Sequence, residues 1–172
     1  PAQVHHDTYK EWHSEFPEKA QKEMLKDWGE PPGNVYLHEN KLYLPGIFFG
    51  NVFVGIQPPR GFGENPVAIY HSPEIVPTHH YLAFYRWLKE DFKADAVIHL
   101  GKHGNLEWLP GKAVALSDTC YPDLAIADLP FFYYFIINNP GEGSQAKRRT
   151  HSVLVDHMVP PMTRADLYDD LA

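Results

Sequence analysis

An imidazole and a carboxylate stand four residues apart near the middle of the chain, at His103 and Glu107. On a helix, residues at this spacing are neighbours on one face. Such a pair can bind a divalent metal ion or transfer protons. A stable zinc site needs three or four ligands, so we expect any metal at His103 and Glu107 to bind only transiently. The alternative interpretation is a helix-capping histidine beside a surface glutamate.

The pair follows an apolar run over residues 94–100 that predicts a buried strand, and residues 104–109 predict a short helix. A second polar junction, over residues 138–145, follows the apolar run of residues 131–137. The glycines and free backbone N–H groups of that second junction favour an anionic ligand at a helix start. Proline, glycine and glutamate are equally typical of an ordinary helix entry. No Walker motif occurs, so we predict no nucleotide site in this chain.

Helical and strand patterns alternate over residues 78–156, which predicts an α/β fold with a largely parallel sheet flanked by helices. Turn residues around Glu39 and Asn40 predict an N-terminal β-hairpin extension. We expect a loose segment over residues 1–16 and a single α/β domain over residues 17–172. Carboxyl ends of parallel strands meet at one edge of a sheet, so both polar junctions should face one cleft.

Further candidates for substrate binding lie in or near these junctions. Arg60, Lys147 and Arg149 can pair with carboxylates, although basic residues near a helix end are also typical of a solvated face. An exposed indole at the rim of the cleft can stack on a flat ligand. The remaining polar candidates flank the two junctions. The other predicted substrate-binding residues are Trp108, Lys112, Asn139 and Glu142.

Composition excludes some classes of protein. The 172 residues carry a net charge of -7, with 44% hydrophobic and 22% charged residues, which is typical of an ordinary globular domain. A nucleic-acid-binding protein usually has a basic excess, so we predict no nucleic-acid partner. The longest apolar run, residues 129–137, is too short to span a bilayer. A single cysteine, Cys120, is consistent with a reducing compartment, and we predict a cytoplasmic location.

Several long blocks of sequence resemble the family of CobN and the magnesium-chelatase H protein, to which the large subunit of cobaltochelatase belongs. The resemblance covers roughly residues 28–172, and family members are far longer, so we expect an internal fragment. The blocks that carry the resemblance are Gly50–Gly61, Tyr81–Trp87, His103–Lys112, Asn139–Arg149 and Asp156–Pro161.

Two of these blocks are similar to the cobalt branch of the family. This chain has Gly-Asn-Leu-Glu-Trp-Leu-Pro-Gly from Gly104 and Asn-Pro-Gly-Glu-Gly from Asn139. The magnesium branch tends toward Gly-Thr-Phe-Glu-Trp-Met-Pro-Gly and Asn-Pro-Ser-Glu-Ala. The resemblance therefore implies a ligase that inserts Co2+ into hydrogenobyrinic acid a,c-diamide, a tetrapyrrole, in cobalamin biosynthesis.

The resemblance also implies how the work is divided. The large subunit binds the tetrapyrrole, and separate AAA+ subunits use ATP and Mg2+, so this chain should bind no cofactor tightly. From the residues themselves, we expect His103 or Glu107 to be the base that accepts the ring protons, and we expect the isolated fragment to be inactive. Two alternatives stay open: a magnesium-chelatase large subunit that inserts Mg2+ into protoporphyrin IX, and a non-catalytic tetrapyrrole-binding scaffold.

Overall fold

The computed structural model describes residues 1–61, 74–102, 104–136 and 139–157. Its N-terminal part combines an antiparallel sheet, in the order β1-β3-β2, with two helices. These elements are β1 (Ala2–His5), α1 (His6–Ser14), α2 (Glu18–Trp28), β2 (Leu37–His38) and β3 (Lys41–Leu44).

The first sixteen residues differ from the loose segment that we expected. Strand β1 pairs with β3, so that Val4 lies opposite Leu42, and both side chains are buried in the core. Helix α1 adds the buried side chains of Tyr9 and Trp12. The partner of β1 lies some forty residues away in sequence, and a local pattern search does not detect such a pairing.

The predicted hairpin is confirmed. Leu37 and His38 pair with Leu42 and Lys41 across a two-residue turn. Both turn residues, Glu39 and Asn40, adopt positive φ angles of 46° and 61°. This is the backbone conformation that a tight hairpin turn requires.

Residues 46–55 do not form one continuous strand, although their apolar and β-branched composition favours it. The segment forms a second hairpin of β4 (Gly46–Phe49) and β5 (Val52–Gly55), joined at Gly50, whose φ is 58°. Both halves have strong strand propensity, so composition did not indicate the reversal between them. Phe53 packs against Trp87, with ring centroids 4.9 Å apart, and this contact holds the hairpin to the core.

The central helix is α3 (His79–Glu90), the first element of the alternating pattern predicted over residues 78–156. The Thr78 side chain accepts a hydrogen bond from the backbone N–H of Tyr81, 3.1 Å away, and so caps the helix start. Nine of its residues are buried, so α3 lies inside the molecule rather than on its surface.

A parallel sheet in the order β6-β7-β8 completes the fold and confirms the predicted α/β class. Two helices connect β6 to β7: a 3-10 helix, at the place where we expected a short helix, and α4. Helix α5 connects β7 to β8. The elements are β6 (Val97–Gly101), the 3-10 helix (Leu106–Trp108), α4 (Tyr121–Ile126), β7 (Phe131–Phe135), α5 (Pro140–Arg149) and β8 (Val153–Val155).

The two faces of this sheet differ. On the inner face, Val97, Phe131 and Tyr133 are buried under helices. On the outer face, Leu100 and Tyr134 are exposed, so among the described residues β7 is covered on its inner face only, although its run is apolar throughout. Within the residues described above, no helix has the length and apolar character needed to cross a membrane.

Candidate active site at the carboxyl edge of the parallel sheet

The two polar junctions lie side by side, as their position after parallel strands predicted. The indole Nε1–H of Trp108 donates a hydrogen bond to Oε2 of Glu142, at 2.8 Å. Trp108 follows β6 and Glu142 follows β7, so this bond connects the two strand ends directly. The Trp108 side chain is 43% exposed and stands at the rim of the site.

Glu107 is fully buried, with 0% exposure, on the 3-10 helix next to this rim. Its Oε1 accepts a hydrogen bond from the backbone N–H of Gly104, at 3.1 Å. Leu106 and Leu109 are also buried, and they anchor the short turn that carries the carboxylate. A Cβ at position 104 would lie 3.0 Å from Oε1 of Gln57, so the close packing of this turn favours glycine.

Buried and half-buried polar side chains surround the turn. The Tyr81 hydroxyl donates to Oδ1 of Asn105 at 2.6 Å, and the Asn105 backbone N–H donates to Oε1 of Gln57 at 3.0 Å. The Gln57 amide donates in turn to the Tyr85 hydroxyl at 2.9 Å. That hydroxyl lies 3.1 Å from Nε2 of His99 on β6. A connected polar network therefore runs from α3 through the turn to the sheet.

The electrostatics of the network reflect burial and the charge of Glu107. Burial raises the pKa of the Tyr85 phenol, and the Glu107 carboxylate adds to the rise. Burial likewise raises the pKa of Tyr133 on β7, and here the Glu107 carboxylate is the next largest cause. Burial lowers the pKa of His99 to about 4. At neutral pH the phenols are therefore protonated and the imidazole is uncharged.

Two buried arginines hold the backbone around Glu107. Arg149 on α5 donates from Nη1 to the carbonyl of Glu107 at 2.8 Å and from Nε to the carbonyl of Lys112 at 3.0 Å. Burial lowers the pKa of Arg149, and the nearby charges of Cys120 and Glu107 oppose that change.

Arg60 binds the backbone of Trp108, the residue next to Glu107. It donates from Nη1 to the carbonyl of Trp108 at 3.2 Å and from Nη2 to the carbonyl of Ile75 at 3.1 Å. These bonds make Arg60 and Arg149 positioning residues in the present structure. Their contact with a substrate stays a prediction.

The other predicted substrate-binding residues lie closer to solvent. Lys112 and Lys147 are exposed. Asn139 caps α5, because its Oδ1 accepts from the backbone N–H of Glu142 at 3.3 Å. This cap confirms the interpretation of residues 139–145 as a helix entry, while anion binding there stays a prediction.

His103 lies outside the described residues, so the predicted pair with Glu107 and its metal role stay predictions. In the part of the chain that the structure covers, three potential metal ligands cluster only at His5, His6 and Asp7, whose ligand atoms lie within 4.8 Å of one another. His5 and Asp7 are exposed, and the cluster belongs to β1 and α1 rather than to the junctions.

Sequence reasoning missed the network of Gln57, Tyr81, Tyr85, His99 and Asn105. The two tyrosines lie on α3 among apolar residues, which is typical of core packing. A buried tyrosine hydroxyl usually has a hydrogen-bond partner, and that requirement was the one signal available. The partners come from segments 24 to 48 residues away in sequence, which local patterns do not connect.

This arrangement can perform proton transfer. A buried carboxylate beside protonated phenols can accept a proton, and a connected network can redistribute it. The surroundings of Glu107 are polar, but its carboxylate is closed from solvent.

Comparison with known proteins supports a specific family. The family model for CobN/Magnesium Chelatase matches residues 1–172. The chain is 50% identical to the aerobic cobaltochelatase subunit CobN of Pseudomonas aeruginosa, over 96% of this chain and 13% of that protein. It is 43% identical to the magnesium-chelatase H protein of Rhodobacter capsulatus, over 89% of this chain and 13% of that protein.

A solved structure of a related protein is also similar to this chain. The chain matches the catalytic subunit of cobaltochelatase from Mycobacterium tuberculosis with a TM-score of 0.84 and 50% identity, over 99% of this chain and 15% of that one. The chain thus spans about one seventh of the length of these relatives. It belongs to the CobN/Magnesium Chelatase family of chelatase large subunits.

Proposed function

We propose that this chain forms part of the tetrapyrrole-binding large subunit of a cobaltochelatase, which inserts Co2+ into hydrogenobyrinic acid a,c-diamide. The observation that carries the proposal is the fully buried Glu107 carboxylate at the joined carboxyl ends of β6 and β7. The blocks that begin at Gly104 and at Asn139 have the sequence of the cobalt branch, which supports the choice of metal. So does the higher identity to CobN, at 50%, than to the magnesium-chelatase H protein, at 43%.

Metal insertion sets the chemical requirements of the site. Two ring nitrogens must each lose a proton, and the hydrated ion must shed water before the ring can bind it. In our proposal Glu107 accepts a proton from a ring N–H, and His103 is the second acceptor. The same two side chains hold Co2+ transiently, because the macrocycle must take the ion from them.

The remaining residues divide into two roles. Lys112 and Lys147 are exposed, and in our proposal they pair with carboxylates on the ring periphery. Trp108, held by Glu142, offers its indole face to the flat macrocycle at the rim. Separate ATPase subunits supply ATP hydrolysis, and the 172-residue chain alone is expected to be inactive.

The experiment is an insertion assay of the complete large subunit with its ATPase partners and ATP. Co2+ is offered with hydrogenobyrinic acid a,c-diamide, and Mg2+ is offered with protoporphyrin IX, in parallel and in competition. We expect ATP-dependent insertion of Co2+ and none of Mg2+. A reaction without ATP is the control for spontaneous metal binding.

The other outcomes identify the alternatives. Insertion of Mg2+ alone would assign the chain to a magnesium-chelatase large subunit, an alternative that the 43% identity to the magnesium-chelatase H protein supports. Tight tetrapyrrole binding, combined with full insertion activity after His103 and Glu107 have both been replaced, would indicate a non-catalytic scaffold segment.

A further inference from the structure

The outer face of the parallel sheet is a continuous apolar surface. Leu100 and Tyr134 are opposite each other in register, and Tyr134 is opposite Val155, so the surface crosses all three strands. No position on it carries a charge. Its exposed side chains are Ile98 (63%), Leu100 (74%), Tyr134 (39%), Ile136 (62%), Val153 (54%) and Val155 (38%).

Within the residues that the structure describes, the connections between these strands do not cover this face. The order β6-β7-β8 advances in one direction, and crossovers between parallel strands are almost always right-handed, so both connections fall on the same face. The contacts agree. Residues of α4 share a core cluster with Val97 and Phe131, and Ala146 of α5 packs with Tyr133 and Phe135, all of the inner face.

We propose that helices of the parent large subunit, from segments beyond residues 1–172, pack on this outer face and make the sheet the middle layer of three. Parallel sheets occur almost only with both faces covered. The relatives are about seven times as long as the chain, which covers 13% to 15% of them, so ample polypeptide exists for the missing layer.

The character of the surface distinguishes this occupant from others. A second copy docked on the same face would stack two parallel sheets directly, an arrangement typical of antiparallel sandwiches instead. An ATPase subunit that binds only transiently would be expected to use a surface whose rim carries polar and charged groups. The seven outward-facing positions are the six exposed residues given above and Phe132. None of them carries a charge, which is typical of an interface that is permanently buried.

Hydroxyl-radical footprinting of the unsubstituted, full-length large subunit tests the proposal without changing a residue. The subunit is studied alone and at a concentration where it is monomeric. We expect oxidation of Tyr134 and Ile98 to fall at least about tenfold below that of the urea-unfolded subunit. Oxidation at the unfolded rate would overturn the proposal.

Cysteine labelling provides the second measurement. Ile98→Cys and Val153→Cys are placed separately in the full-length subunit, and maleimide uptake is read on the peptide that carries each substitution. We expect uptake at least about 100-fold slower in the folded monomer than in urea. Protection that appears only at high subunit concentration would assign the face to a second copy. Protection that requires the ATPase subunits would assign it to that partner, and either result would contradict the proposal.

This inference does not depend on the proposed chemistry. Loss of insertion activity on replacing Glu107 says nothing about the outer face, and an uncovered outer face leaves the role of Glu107 intact. The two failures are therefore distinguishable.

Discussion

Two regions around the parallel sheet, its carboxyl edge and its outer face, reverse the usual distribution of polar and apolar residues. Toward the inner side, at the carboxyl ends of the strands, Glu107 and Arg149 are buried with hydrogen-bonding partners. On the outer side, Ile98 and Leu100 are exposed. Buried polar groups are costly unless they are satisfied, and large exposed apolar surfaces mark contacts. The inner polar edge therefore indicates chemistry, and the outer apolar face indicates contact with more protein.

The largest expected effect compares one residue from each face in the 172-residue chain. Phe131→Ala should lower the free energy of unfolding by about 4 kcal/mol, because it opens a cavity in the inner core. Ile98→Ala should change it by less than about 0.5 kcal/mol, because that side chain is exposed here. Urea unfolding measures both. Equal losses would show that the two faces are not different in packing.

A second pair of variants tests the buried arginine against its exposed neighbour. Arg149→Met should cost about 3 kcal/mol of stability, because the carbonyls of Glu107 and Lys112 lose their donor inside the protein. Arg148→Met, on the exposed side of the same helix, should cost less than about 0.5 kcal/mol. A mild effect at position 149 would mean that Arg149 does not hold the Glu107 turn.

Acid should weaken the fold through buried histidines. His79 donates from Nε2 to the Gly29 carbonyl and accepts from Tyr9, and burial lowers its pKa to about 4. Above pH ~6.5 neither the folded nor the unfolded state protonates it, so it has no effect. Between ~6.5 and ~4 only the unfolded state gains the proton, and stability falls by up to about 3 kcal/mol as the pH decreases.

The control for this prediction is a matched pair of variants. His79→Gln cannot take up the proton, so its loss of stability between about pH 7 and about pH 4.5 should be smaller than that of the unsubstituted chain. His38→Gln, at an exposed position, should leave the loss unchanged. Denaturant unfolding at both pH values provides the comparison, and parallel curves for all three proteins would exclude His79 as the cause.

The smallest expected effect concerns the bond between the two junctions. In a double-mutant cycle of Trp108→Phe and Glu142→Gln, we expect a coupling energy of about 1 kcal/mol, because the bond is partly exposed. Urea unfolding of the four proteins measures it. A coupling energy near zero would show that the two strand ends are not held together through this pair.

The sequence predicted the elements whose signals are local. The alternating pattern that begins at residue 78 includes α3, Glu39 and Asn40 marked the hairpin, and two apolar runs marked β6 and β7. It also predicted that residues after β6 and β7 meet at one edge, since parallel strands require it.

It did not predict features that depend on distant partners. β1 is a strand because β3 pairs with it, and the polar network exists because Gln57 reaches both Tyr85 and Asn105. The reversal at Gly50 was missed because one glycine within a β-rich run is ambiguous. The exposed outer face could not be predicted either, because an apolar strand carries no information on what covers it.

The most direct test of the central claim is the rate of Co2+ insertion by the complete large subunit with Glu107→Gln, at saturating tetrapyrrole and with ATPase partners present. The amide keeps the size of the side chain and the acceptor for Gly104 but is no longer a base. We predict a rate at least about 100-fold lower, with tetrapyrrole affinity within about threefold of normal and with Glu15→Gln, at an exposed site, unchanged. A Glu107→Gln subunit that inserts Co2+ at the normal rate would contradict the account.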